Sequence, residues 1–460
     1  MTHPRSAFGA PPRGGAASGP ARPDPRQPLG VSRRACLVSI GGGAAAASLG
    51  VLSGCARRDA GAPLRLWAMG REGEVAGELL APLERDGLRV QIEKLPWSAA
   101  HEKLLTAFAG DVTPDVAQLG NTWIAELAAL GALEPLAPHL GTLGLAPADH
   151  FAGIWATNVV DGALYGVPWY VDTRLLFYRR DLFERAGIGA MPQDWAGFVG
   201  ALDALQRSGV AHPLLLPLNE YEPLLAFALQ QGEPLLRDGG RFGNFRGAGF
   251  RRALAFYLER FARGHAPYLT NNVIANLWQE FGRGTFAAFV SGPWNIGELD
   301  RRLPREQRAS WGTAPLPGPQ GPGASTAGGS SLVVFRRSRR KADALRLIGY
   351  LSRPEVQLRF HALTGNLPPR RATWQQAPLH GEPRAAAFLA QLERVVASPA
   401  VPEWERIAQE MQLHAARAHR HGTPIDATAA ALDARVDGFL EKRRWMLART
   451  AAAARREPAS

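Results

Sequence analysis

Residues 64–131 repeat one pattern three times: a short apolar run, then a run with helical spacing, then a glycine. Leu64-Arg65-Leu66-Trp67-Ala68-Met69 alternates like a strand and stops at Gly70, and Leu79, Leu80 and Leu83 mark a helix over 74–86 closed by Gly87. Residues 88–97 predict a second strand, and Leu104, Leu105 and Phe108 share one face of a helix over 99–109. A short strand over 114–120 and a helix over 122–130, closed by Gly131, complete the series. Strands separated by helices cannot pair through tight hairpins, so this region must build a mostly parallel sheet with helices on its faces. Ligands of such sheets sit beyond the carboxyl ends of the strands. The loops there hold Arg71, Glu72, Trp97, Asn121, Thr122 and Trp123. Guanidinium, carboxylate, amide, hydroxyl and indole groups together suit a polyol better than a phosphate or a metal.

A chain of 460 residues is too long for one core, so two lobes of roughly 150–200 residues each are expected. The formal charge of +12 could suggest a nucleic-acid partner. Residues 1–54 carry +5 of it and the last twenty residues +4, which leaves +3 for the long middle. A nucleic-acid binder concentrates its cations on the folded domain, so no nucleic-acid partner is expected. The two cysteines, Cys36 and Cys55, both precede the globular part. A disulfide or a thiolate metal site within the folded region is therefore excluded.

Residues 1–31 hold almost no large apolar side chain and cannot form a core. Arg33-Arg34 then leads into a run to Gly54 so diluted with Gly and Ser that it falls short of a stable membrane span. A basic pair, a mild apolar segment and small residues before a cut site describe a secretory signal over 1–54, of twin-arginine type. Leu52-Ser53-Gly54-Cys55 resembles the lipobox of bacterial lipoproteins. That resemblance implies acylation of the Cys55 thiol, a polar tether over 55–63 and a membrane anchor.

From residue 161 more specific motifs appear. Asp161-Gly162-Ala163-Leu164-Tyr165-Gly166-Val167-Pro168 leads into Trp169-Tyr170-Val171-Asp172-Thr173-Arg174-Leu175-Leu176-Phe177-Tyr178. Trp195-Ala196-Gly197-Phe198, Phe281-Gly282-Arg283-Gly284-Thr285-Phe286, Ser291-Gly292-Pro293-Trp294, Ala327-Gly328-Gly329-Ser330 and Gly365-Asn366-Leu367-Pro368 follow in order. Over about residues 64–445 the series resembles the family 1 extracellular solute-binding proteins of ABC importers, the group of maltose- and trehalose-binding proteins.

The resemblance implies a two-lobed α/β periplasmic-binding-protein (type II) fold, each lobe a mostly parallel sheet flanked by helices, with a hinge and an interlobe cleft. Lobe one would span 64–168 plus 314–352, and lobe two 172–311 plus 354–450, with 451–460 as a disordered tail. It also implies function: an exported, monomeric binding lipoprotein, in the periplasm or at the cell surface, that delivers a carbohydrate to importer permease subunits without any cofactor or metal.

Sugar recognition calls for aromatic faces and for paired carboxylate, Arg or Asn groups. By resemblance, Trp294 would stack on a sugar ring, Asp172 would accept sugar hydroxyls, and Trp404 would be a further contact. Glu220, Tyr221 and Glu222 match a ligand loop, and Gly328 and Gly329 would let the backbone approach the ligand. Arg71-Glu72 reverses the acidic-basic order found in maltose-binding protein, and Asn121-Thr122-Trp123 replaces its Asp-Arg pair, which argues against simply assigning maltose. Trp169 and Trp97 suit either a cleft wall or a core. Two other classes remain open: a secreted glycoside hydrolase, which needs two carboxylates at a fixed separation, and a sugar-responsive sensor or adaptor with the same fold.

Overall fold

The computed structural model describes residues 62–269 and 276–454, with side chains to residue 449. The leader with Arg33 and Arg34, and Cys55 with most of the tether, lie outside the described residues.

Five strands form the first sheet, in the order Val90–Leu95, Leu64–Met69, Val116–Gly120, Gly329–Val334, Gly166–Val171. The first three are parallel, as the repeated strand–helix pattern requires. Gly329–Val334 is antiparallel to both of its neighbours. The second sheet orders Trp311–Ala314, Leu175–Arg179, Phe286–Ser291 and His212–Leu215, with one parallel pairing and two antiparallel ones. In each sheet all strands but one therefore run the same way, mostly parallel as expected, and the exceptions are Gly329–Val334 in the first and Leu175–Arg179 in the second. The reason is the traffic between lobes. Strands that follow a helix run toward the cleft, whereas Leu175–Arg179 and Gly329–Val334 start at the cleft and must run away from it.

The crossing segments lie side by side. Val171 N donates to Leu367 O at 2.9 Å, and Asp172 N donates to Gly328 O at 3.1 Å. Gly329 pairs with Val171. The two glycines are required by this closeness. A Cβ on Gly328 would lie 2.0 Å from Asp172 O, and one on Gly329, at φ +130°, would lie 2.3 Å from Tyr170 O. Three adjacent strands of backbone with few side chains between them make a hinge.

Each lobe has its own core. In lobe one Leu66, Val116, Val167, Leu332 and Ile348 pack together, and in lobe two Leu176, Leu202, Phe227, Phe250 and Trp404 do so. Two boundaries differ from expectation. Val356 and Phe360 of the helix Pro354–Thr364 belong to the lobe-one core, so the third crossing follows that helix near Leu367 and not at 352–354. Leu316 packs in lobe two and its N–H bonds Gln391, so the second crossing comes at 326–329 and not at 312–315. At the far end the helix Glu441–Ala454 takes in four residues assigned to the tail.

Candidate functional site

The carboxyl ends of the lobe-one strands and the hinge face a pocket of about 300 Å³ between the lobes. Lobe one contributes Trp97, Asn121, Thr122 and Trp123, and lobe two contributes Asp172, Arg174, Tyr221, Glu222, Ser398 and Glu405. Thr326 to Gly329 of the second crossing form the floor.

Local folding sets these positions. Gly120 ends its strand, and the single turn Asn121–Trp123 leads into the helix Ile124–Ala129. That turn aims Thr122 and Trp123 at the cleft. The Trp97 and Trp123 rings meet edge to face at 5.5 Å, and His101 lies 5.0 Å from Trp123 while its Nε2 pairs with Glu126 at 2.7 Å. The two indoles therefore form one stiff aromatic wall. The Glu126 hydrogen bond raises the His101 pKa despite partial burial.

Across the cleft Arg174 organises the charge. Its Nη1 bonds Asp172, its Nη2 donates to Glu222 Oε1 at 3.0 Å, and its guanidinium stands 4.7 Å over the Trp294 ring. Burial opposes the charge on Arg174, but Asp172 and Glu222 outweigh it and hold the guanidinium protonated. Burial pushes the Asp172 carboxyl up, and Arg174 pulls it back. Trp294 folds over Gly292, where a Cβ would lie 1.9 Å from the indole. Only glycine at 292 leaves room for that ring.

One hydrogen bond spans the lobes within the pocket: Thr122 Oγ1 donates to the Glu405 carboxylate. Burial raises the Glu405 pKa, and the Thr122 donor and His101 act against it. Three carboxylates and one guanidinium line the pocket, so the site repels anions and presents acceptors to hydroxyl donors. Two donors are left over. Among the described residues Asn121 Nδ2 and Arg174 Nε are buried without a partner. Among the described residues no group of three or more His, Cys, Asp or Glu could hold a metal ion.

The expected residues distribute unevenly. Asn121, Thr122, Trp123, Asp172, Glu222, Gly328 and Gly329 line the pocket, as does Trp97. Trp294 stands behind Arg174 at its edge, and Glu220 acts on the Arg174 charge from farther off. Four residues lie elsewhere. The first helix begins directly at Gly70, so Arg71 and Glu72 fall on a helical turn and not in a loop. Arg71 points to solvent and pairs with Glu74 at 3.0 Å. Glu72 is buried and accepts from Asn366 Nδ2 at 2.6 Å, which braces the helix against the third crossing. Trp169 is buried and stacked on Phe360 at 4.6 Å in lobe one, and Trp404 is buried in lobe two.

Tyr221, from the expected ligand loop, lines the pocket too, whereas Arg174, Ser398 and Glu405 were not singled out from the sequence as ligand contacts. Glu405 had a signal beside it, because Trp404 opens the helix Trp404–His421. Successive helical residues lie about 100° apart, so burying Trp404 turns Glu405 toward another face.

The sugar-binding protein MalE of Xanthomonas citri has a solved structure that superposes with a TM-score of 0.82 at 52% sequence identity, over 84% of this chain and 99% of that one. The diacetylchitobiose-binding protein DasA of Streptomyces coelicolor is 24% identical over 76% of this chain and 83% of its own length. The GacH receptor of Streptomyces glaucescens shares the fold, with a TM-score of 0.72 at 22% identity over 83% of this chain and 99% of that one. A sequence profile of the bacterial extracellular solute-binding proteins matches residues 83–386. With its two lobes, its three-stranded hinge and this match, the chain belongs to the bacterial extracellular solute-binding proteins.

Proposed function

We propose that this protein is the carbohydrate-binding subunit of an ABC-type importer and holds a neutral mono- or oligosaccharide between its lobes. The observation that carries the reading is the makeup of the cleft. An indole wall from lobe one faces an acid-rich Asp172–Arg174–Glu222 cluster from lobe two. Ring faces pack on Trp123 and Trp97, and hydroxyls donate to the carboxylates while accepting from the Arg174 guanidinium. A pocket of about 300 Å³ lies at the small end of the range for ligand sites, which favours one or two rings. The 52% identity to a sugar-binding protein over nearly its whole length supports a sugar as cargo.

Closure is the mechanism. Residues from both lobes touch the ligand, so a ligand favours the closed form by its extra contacts there. The closed form then docks on permease subunits that carry the transport machinery. The chain is exported and held at the membrane by a lipid on Cys55, and it acts as a monomer. We assign it no hydrolytic step: Asp172 and Glu222 are both tied to Arg174 and Glu405 accepts from Thr122, so the three carboxyls are held as hydrogen-bond acceptors and not set as the acid and nucleophile of a glycosidase.

A thermal-shift screen with mono- and disaccharides tests the reading, because a ligand that binds only the folded state raises the melting temperature. Oligosaccharide incubated with the protein should stay intact. Products would support the hydrolase reading, and a panel with no shift would remove carbohydrate as the cargo.

A further inference from the structure

The positive charge at the end of the chain takes no part in the cleft. Residues 441–460 carry six Lys or Arg and two Glu. The helix Glu441–Ala454 arranges the first of these cations on two faces. Arg443, Arg444 and Leu447 are half-buried and turn inward. Arg444 Nη1 donates to Arg241 O at 3.0 Å, and its guanidinium lies 4.7 Å over Phe242. Lys442, Trp445, Met446 and Arg449 turn outward, all exposed. Their i, i+3, i+4, i+7 spacing puts them on one stripe.

This stripe is unusual for a surface that faces only water. Trp445 is 58% exposed and Met446 51% exposed, side by side on one turn. Arg449 lies 4.7 Å over the Trp445 ring. Glu441, the single carboxylate of this helix, stands on the flank of the stripe. One indole and a neighbouring thioether bracketed by cations on long apolar stems describe the interface of a bilayer, where an indole sits at headgroup level and Lys or Arg reaches the phosphates.

We propose that this helix face docks on anionic lipid headgroups and gives the protein a second, reversible membrane contact. Charge complementarity selects the occupant. Clusters of four to eight cations beside exposed apolar side chains match acidic phospholipid, and Arg455 and Arg456 extend the cluster in sequence. The cleft is acid-rich and lies on other elements, so its ligand cannot account for these cations. Such a contact would hold the lobe that carries the helix close to the bilayer. It is independent of which ligand the cleft holds.

Sedimentation with vesicles tests it. The full chain carrying Cys55→Ser, which has no acylation site in its lipobox, is compared with the same chain carrying Lys442→Glu and Arg449→Glu, or Trp445→Ser. The leader is common to all and cancels in the comparison. Vesicles are phosphatidylglycerol with phosphatidylcholine, or phosphatidylcholine alone. The parent should bind the anionic vesicles, release at 0.5 M salt (on the order of a 4 Å Debye length), and ignore the neutral ones. The double charge reversal should lower partitioning about thirtyfold or more, at roughly fivefold per cation, and Trp445→Ser should lower it at unchanged charge. Sugar-induced thermal shifts should be the same in all, and if the double variant loses its shift, Trp445→Ser decides by the same readout. Equal sedimentation of parent and variants on anionic vesicles overturns the proposal. So does normal vesicle binding of variants that fail to support uptake in cells, which would make the face a protein-docking surface.

Discussion

The hydrogen bond from Thr122 to Glu405 joins the lobes inside the pocket, so its loss should act on closure more than on folding. Thr122→Val keeps the shape and removes one donor. The Glu405 carboxyl is already pushed toward its neutral form by burial, and in the variant it loses the Thr122 hydroxyl. A buried acceptor deprived of its donor costs about 1–3 kcal/mol, and this cost arises only when the lobes close. Sugar Kd should therefore rise roughly fivefold to a hundredfold. The effect should also grow with pH. A carboxyl whose pKa is raised in the closed state favours that state below its ordinary pKa, and the advantage is lost as pH rises through the raised value. Without Thr122 the closed-state value rises further, so the penalty is larger at pH 8 than at pH 5. Calorimetric titration of wild type, Thr122→Val and Thr122→Ser at both pH values measures this, with the serine variant retaining most affinity. A valine variant within twofold of wild type at pH 8 would refute the reasoning.

Trp294→Ala should weaken sugar binding by about 2 kcal/mol, the scale of a desolvated cation–π contact, because the ring backs Arg174; tryptophan quenching or calorimetry reads it. His150 is 2% exposed with its pKa lowered by burial to about 4. The unfolded chain takes up this proton first as pH falls from about 6.5, so stability present above that pH should drop by on the order of 3 kcal/mol toward pH 4. Urea melts of His150→Gln should show a correspondingly flatter acid limb. Cys55→Ser should move the protein from the membrane fraction to the soluble fraction, leaving a residue that high salt releases.

The three strand–helix units of residues 64–131 were legible because each pairs with a neighbour close in sequence, and the local period fixes the element. The one reversed strand in each sheet was not. Its direction depends on which side of the cleft a crossing segment enters, which no local pattern encodes. The helix Pro354–Thr364 was assigned to the wrong lobe for the same reason, since its Phe360 stacks on Trp169, nearly two hundred positions earlier. Aromatic residues were the least decidable. Trp123 and Trp97 wall the cleft while Trp169 and Trp404 are core, and all four are large apolar rings near expected loops. The charged cluster was half legible. Asp172 stood out beside the first crossing, but no local pattern marks Arg174 as the group that holds both it and Glu222. Glu405 joins the site from a helix more than two hundred residues away.

The most direct test of the central claim is a calorimetric titration of the purified protein with neutral mono- and disaccharides and with a sugar phosphate, repeated on Arg174→Met. A neutral carbohydrate bound one-to-one between the lobes should give saturable binding, weaker or absent for the phosphate because the cleft is acid-rich. Affinity should fall sharply when Arg174 no longer holds Asp172 and Glu222. No heat from any sugar at about 1 mM, a binding free energy of roughly −4 kcal/mol, tighter binding of the phosphate, or an unchanged Arg174→Met would contradict the account.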